Sequence, residues 1–520
     1  METAKVKNST EASSGYVLNK GGSGTLPACR EELESETLID SVSIPTVLGY
    51  QLVGNPYSVS VMQQASVNLY GNNAQIVANK KYVRFKPANE QPLKVLAESE
   101  LNLFDYPLDR EVISDNDYYP QPGIGAEEIS WLYTVVDMNY TPPADIPYEI
   151  LQELYVPGDD ILLEQEALKI TNNPYIDSCG MIPTLPAPGC DDPCNPGPGC
   201  PLPPPECGGG SGETLDKKKP AGKITVWDSN LGMEVPVKRT RVVARRWFKI
   251  DVVYTNDQGE FKCNKRFVNK VNILVKFLNN NITIHGLRTA RLWQMWFPIK
   301  KGIGIYSGNL SNISYRFNQN TLEPHSRTNR NWWAAQTMNS QVEFNEMAAA
   351  NNIGGLPSFL RILLTGWANA RGAGSAPMNG HRNPQIVPPL WINYFVLNPA
   401  HTGFASTLNW LYNGILIRKT DMTIGYDKNL QSDQVKSLIY HEMAHAAHYN
   451  KVGDNWWNEL VNAETYEITR FGLNGAQSPY GIGDDGEMSG RIALAESWAE
   501  HIGRVMTDTK YGTTSSAQYN

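Results

Sequence analysis

Between Cys29 and about Ile170, short runs with strand-like patterning recur, SVSVMQQASVNLY, KKYVRFKP and ISWLYTVVDMNY among them, and turn residues and prolines separate them. Alternation of apolar and polar positions is the pattern of half-buried strands. The run IPYEILQELYV, which follows, is a helical candidate. Together these predict a β-rich or α+β module over residues 29–170. Four further strand-like runs lie between about Lys223 and Asn279: KITVWD, VPVKRTRVV, WFKIDVVYT and KVNILVKFL, with Asn256-Asp257-Gln258-Gly259 as a turn. They predict a small β-sandwich over residues 223–282. From residue 283 to 520 the pattern turns helical, in NWWAAQTMNSQVEFNEMAAANN, LPSFLRILLTGWANA, SDQVKSLIYHEMAHAAHYN, NWWNELVNAETYEITRF and SGRIALAESWAEHIGRVM. The expected architecture is multidomain, two β-rich units followed by an α+β domain.

Composition places the connections. Residues 1–28 are rich in Ser, Thr, Gly and Lys, too polar to offset the entropy of ordering, and are expected to be a flexible leader. Five of the seven Cys fall between Cys179 and Cys207, and ten of the 34 Pro between Pro183 and Pro205, which marks residues 171–222 as a linker or stapled loop. Cys190, Cys194, Cys200 and Cys207 run C-x3-C-x5-C-x6-C, without the C-x2-C knuckles of a zinc ribbon. Disulfides or free thiols fit this spacing better than a metal, and disulfides imply an oxidising compartment.

A net charge of −8 removes the broad basic footprint of a nucleic-acid binder, so no nucleic-acid partner is expected. No run approaches the roughly 18 apolar residues of a membrane span, and the first residues lack the apolar core of a signal peptide. A basic cluster, Lys238, Arg239, Arg241, Arg245, Arg246 and Lys249, suits either an anionic ligand or, more simply, solvated strand edges that discourage pairing.

All eight His lie between His285 and His501. His441-Glu442-Met443-Ala444-His445 spells H-E-x-x-H inside a helical pattern that Ser432 or Asp433 is placed to cap. Positions i and i+4 share a helix face, so the two imidazoles can reach one ion while Glu442 projects beside them. With so few His, a chance occurrence has odds on the order of 1% or below.

At these residues the chain resembles the zincin metallopeptidases. His448 and Lys451 stand where a metzincin needs Gly and then His or Asp, which leaves the gluzincin branch, whose third ligand is a downstream Glu. Glu496 opens an E-x-x-A-E segment that resembles the ligand helix of the lethal-factor-type gluzincins, and Glu500 would then support the site from behind. Glu464, 19 residues after His445, is the alternative ligand. The resemblance implies Zn2+ held by His441, His445 and Glu496, with Glu442 as general base. It further implies hydrolysis of a peptide or protein substrate by an endopeptidase, and an edge strand at Asp421–Tyr426 that pairs with an extended substrate. Tyr480, Tyr511 and His501 are candidate oxyanion donors.

The 223–282 block resembles the transthyretin-like modules beside secreted bacterial peptidases. The runs YVRFKP, LNLFDYPLDREV and IPYEILQELYVP resemble a module of bacterial secreted or surface lipoproteins. These imply a secreted or cell-surface location and surface anchoring without a membrane span. A non-catalytic zinc-containing binding or adhesion protein is the alternative reading. Two motifs are set aside: Gly481-x-Gly483-x-x-Gly486 has no preceding strand and reads as a loop, and Trp456-Trp457 reads as core.

Overall fold

In the computed structural model the described residues are 44–71, 75–125, 128–174, 218–268, 270–286, 293, 296–365, 374–382, 420–426, 429–467 and 489–512. The leader, the cysteine run from Cys179 to Cys207, Tyr480 and the glycine motif at 481–486 lie outside them. The molecule is mixed α/β, with several separate sheets. Among the described residues no helix is long and apolar enough to cross a membrane.

The N-terminal part has an antiparallel sheet in the order β4 (Leu132–Asp137), β2 (Lys80–Phe85), β5 (Tyr148–Leu154), and a small pair, β1 (Val47–Gln51) with β3 (Arg110–Ser114). Around them lie α1 (Val59–Tyr70), α2 (Glu90–Glu98) and α3 (Ile161–Ile170). Two expectations are corrected here. The run SVSVMQQASVNLY forms helix α1 rather than a strand: the Ser58 side chain accepts from Val61 N–H, Met62, Ala65 and Ser66 are buried on one face, and left-handed Gly71 ends it. The run IPYEILQELYV forms strand β5 rather than a helix, because β2 offers it a full ladder from Lys80↔Leu154 to Phe85↔Tyr148. Those ladder bonds outweigh the helix propensity of Glu, Leu and Gln.

Two four-stranded sheets follow. One holds β6 (Ala221–Asp228), β7 (Met233–Pro236), β10 (Glu260–Lys262) and β14 (Ile313–Phe317); the other holds β8 (Arg241–Arg246), β9 (Lys249–Tyr254), β11 (Val271–Lys276) and β13 (Lys300–Tyr306). Strands β13 and β14 come from beyond residue 282, so the sheets run across the expected boundary at 282/283. Gly222 permits this: a Cβ there would sit 1.8 Å from the Ile313 carbonyl oxygen, on the strand that pairs parallel with β6. Alternate residues of β8 and β11 join different cores. Val242, Ala244, Ile273 and Val275 pack toward the C-terminal helices, and Val243 and Leu274 pack with Tyr57, Tyr82 and Phe248 of the N-terminal core. Cys263 is buried and unpaired.

The last sheet runs β12 (Ile282–Gly286), β15 (Leu360–Thr365), β17 (Met422–Gly425), β16 (Gly374–Ser375), the first three parallel and β16 antiparallel. This corrects two further expectations. LPSFLRILLTGWANA contributes strand β15, not a helix, since a strand buried on both faces reads as a continuous apolar run. The strand at Asp421–Tyr426 is internal, with the short β16 outside it.

Against this sheet pack α4 (Arg327–Ala350) and α5 (Ser432–Glu467), and α6 (Ser489–Tyr511) packs along α5. Gly453, at φ 78°, breaks α5 into two arms. Glu343 of α4 ties the other two helices together. It accepts from Lys436 Nζ of α5 at 2.7 Å, from Lys510 Nζ of α6 at 2.6 Å and from the Tyr440 hydroxyl.

Candidate metal centre

Helix α5 starts against the β6–β7 turn. Ser229 and Ser432 exchange backbone-to-hydroxyl hydrogen bonds at 2.9 Å each way, and Asp433 N–H donates to Asn230 Oδ1 at 2.8 Å. The first amides of the helix are thus satisfied by side chains of the turn. Two and a half turns later the helix carries His441, Glu442 and His445, at 8%, 4% and 6% exposure. Their neighbours Met443, Ala444, Ala446 and Ala447 are buried, which is what a helix passing through the core requires.

Helix α6 crosses α5 closely because Gly503 faces it: a Cβ on Gly503 would lie 3.2 Å from His441 N and 3.3 Å from Ser437 O. Two turns earlier on α6, Glu496 meets both imidazoles. Its Oε2 lies 3.3 Å from His441 Nε2 and its Oε1 3.5 Å from His445 Nε2, and the two Nε2 atoms are 3.1 Å apart. Among the described residues this is the group of three with metal-ligand spacing. Tetrahedral donors about 2.0–2.1 Å from a zinc ion stand roughly 3.3–3.4 Å from one another. With one ligand atom from each residue, the three donors all lie within 4.8 Å of one another, close enough for a single ion of a type that His and carboxylate side chains bind.

The electrostatics point the same way. Burial pulls the His441 imidazole down, but hydrogen bonds to Glu496 and Glu500 and the charges of Glu442 and Glu496 push it up to about 10. Burial likewise raises Glu496, and the two His outweigh it, leaving the carboxyl well below its ordinary range. Such a field stabilises positive charge between the three side chains, whether proton or metal. Glu500 Oε2 lies 3.7 Å from His441 Nδ1, on the side away from Glu496 Oε2. It is placed to hold that ring from behind.

Glu442 is not part of the donor triad. Burial raises its carboxyl above the ordinary value, partly offset by the two His. Its Oε2 is buried with no hydrogen-bond partner among the described residues. Gly374 of β16 lies directly over it, and a Cβ there would be 2.5 Å from Glu442 Oε1.

Glu464 stands outside the triad, on the second arm of α5. Burial and the charges of Glu496 and Glu442 raise its carboxyl well above the usual range, offset in part by Arg382. Tyr511 donates to Asp228 Oδ2 at 2.8 Å, next to the turn that caps α5. The Tyr511 hydroxyl is thus engaged with Asp228 rather than with the three donors. His501 is exposed on α6. Trp457 is buried as expected, and its ring centroid also lies 6.2 Å from that of His445.

Gly374, Gly503 and the Glu343 tie were not singled out from the sequence. A Lys at 436 and a Glu at 343 within largely apolar helical runs were the available signal, since such charges are rarely buried unless paired. Compared with protein-family models, curated proteins and solved structures, the chain matches none.

Proposed function

We propose that the chain is a zinc-dependent peptidase of the gluzincin type, probed most directly by its ability to cleave an unfolded protein. One observation carries this reading: two imidazoles and a carboxylate are grouped closely enough for one ion, with a further carboxylate, Glu442, beside them whose buried Oε2 has no hydrogen-bond partner among the described residues. A purely structural zinc site has no use for that fourth group. Zinc bound by His441, His445 and Glu496 would supply a Lewis acid that polarises a carbonyl and acidifies water.

The protein's own residues account for the remaining steps. Glu442, its carboxyl raised by burial toward the working pH range, takes the proton of the attacking water and delivers it to the leaving amine. Glu496 neutralises charge at the donors, and Glu500 orients the His441 ring. The antiparallel strand β16 pairs on one side with β17, and among the described residues no other strand covers its outer edge. An extended peptide laid there would pass over Glu442, which suits endopeptidase action on a peptide or protein. A secreted or surface location belongs to the same reading and rests on the cysteine-rich run and the modular resemblances.

The test is metal content together with cleavage. The wild type is expected to hold one zinc ion per chain and to hydrolyse an unfolded protein; zinc without any cleavage would favour a binding role instead.

A further inference from the structure

The sheet that carries the metal centre on one face bounds a separate cleft on the other. Ile282, Ile284 and Ile362 point toward the helices, while Thr283, His285 and Arg361 face the opposite way. There a cavity of about 960 Å3 opens between the end of α2, strands β8 and β9, and strands β12 and β15. Small-molecule sites commonly enclose about 300–1,000 Å3.

Two of the cationic side chains lining this cleft sit against an acid, whereas Arg241 and Glu100, which share the lining, form no ion pair among the described residues. Arg361 meets Glu98 at 2.6 Å. His381 Nδ1 lies 2.9 Å from Asp421 Oδ1 and its Nε2 lies 2.8 Å from the Ser358 carbonyl oxygen. Arg241 has no such match. Its Nη2 donates to the Glu100 carbonyl at a long 3.4 Å, and its buried Nε has no hydrogen-bond partner among the described residues. Burial lowers its pKa from the ordinary value, only partly offset by Tyr254 and Glu100.

The other members of the same basic cluster have acid or carbonyl partners, although Arg246 Nε, like Arg241 Nε, makes no hydrogen bond among the described residues. Arg239 pairs with Asp257 at 3.0 Å, Arg246 with Glu111 at 3.4 Å, Lys249 with Glu164 at 2.7 Å and Lys238 with Glu346 at 3.8 Å. Arg245 donates to the carbonyls of Leu108 and Trp247. A guanidinium drawn out of water without a matching acid is unfavourable unless an anion completes it.

Aromatic side chains share this largely polar lining: Tyr254, the cross-strand partner of Arg241, is 43% exposed, Phe359 is 69% exposed, and Trp296 is nearly buried. Phe359 also holds φ 59°, a left-handed backbone rare for a bulky residue and found where surroundings or function require it.

We propose that this cleft binds a small monoanion whose carboxylate pairs with Arg241 and whose apolar body lies against Phe359, Tyr254 and Trp296. That is the chemistry of an aromatic or branched-chain carboxylic acid, either free or as the last residue of a peptide. The site is independent of the metal centre, so it is testable whether or not the protein is a peptidase.

The experiment is calorimetric titration of the full chain, with and without zinc, using N-acetylphenylalanine, its amide, inorganic phosphate and a pentapeptide ending in Phe. One saturable site for the acid is expected, with the amide at least tenfold weaker, phosphate unable to compete, and the same affinity with zinc removed. Tighter binding of the pentapeptide would assign the peptide source, and equal binding the free acid. Arg241→Gln should weaken the acid at least tenfold and Arg241→Lys less. Phe359→Gly, which suits the left-handed backbone and so keeps the fold, should weaken it several-fold. Equal binding of acid and amide, competition by phosphate, an unaffected Arg241→Gln protein, or no saturation would each overturn the proposal.

Discussion

Replacing Gly374 by Ala should separate catalysis from metal binding. The added Cβ would stand 2.5 Å from Glu442 Oε1, 2.6 Å from its Cγ and 2.7 Å from its Cδ. Because Cγ is struck as well as the carboxylate, a turn of the terminal torsion cannot relieve the contact, and the whole side chain must withdraw by about 1 Å to reach ordinary van der Waals distance. A misplacement of about 1 Å at a reacting group costs on the order of 100-fold in rate, or roughly 2.7 kcal/mol of barrier. Gly374 is not in the left-handed region, so the backbone tolerates Ala. None of the three donors is among the nearest atoms to the new methyl. The expected protein therefore binds one zinc ion, melts within a few degrees of wild type and loses about two decades in kcat on a quenched fluorogenic peptide. Wild-type activity would show that Glu442 is not needed where it stands. Joint loss of zinc would show that the base and the donors cannot be moved separately.

Three other outcomes are expected. Gly503→Val should push α6 off the His441 and Ser437 backbone, lowering zinc affinity and melting temperature together; a competition assay with a chromophoric chelator reads the first and calorimetry the second. Burial raises the Glu343 carboxyl, but Lys436 and Lys510 outweigh it and hold it down at about 2. A depressed acid contributes stability above its unfolded pKa of about 4.3 that is lost as pH falls through the folded value. Glu343→Gln should thus be less stable by about 3–5 kcal/mol at neutral pH, for a buried pair broken on one side, and should lack that stability loss between about pH 4 and pH 2 in denaturant titrations. Chelation of the metal should lower the melting temperature of the wild type and leave that of Glu496→Ala unchanged.

The cluster of His441, His445 and Glu496 was more legible in the sequence than the fold around it. H-E-x-x-H depends on helix periodicity alone, and α5 presents His441 and His445 on one face as that periodicity requires. Glu496 lies 51 residues further on, yet the E-x-x-A-E spacing marked a helix face with two acids, and the structure brings that face to the imidazoles. Local pattern misled where neighbours decide. SVSVM alternates like a strand, but the Ser58 cap and the Met62, Ala65 and Ser66 face govern α1. YEILQEL favours a helix until β2 offers its open edge, and LRILLT reads equally as helix or buried strand. Strand β16 is two residues long, so no periodicity could reveal it, and the closeness of Gly374 to Glu442 is visible only in three dimensions. The same holds for β13 and β14, which complete sheets begun about 60 and 90 residues earlier.

The central claim is that Glu442 moves protons while His441, His445 and Glu496 hold the metal. Its most direct test is peptide cleavage by Glu442→Gln protein whose zinc content has been measured in the same sample. One zinc ion per chain with cleavage reduced at least 1,000-fold, on the order expected for loss of a general base, is the predicted result. Undiminished cleavage by that zinc-loaded variant would contradict the account.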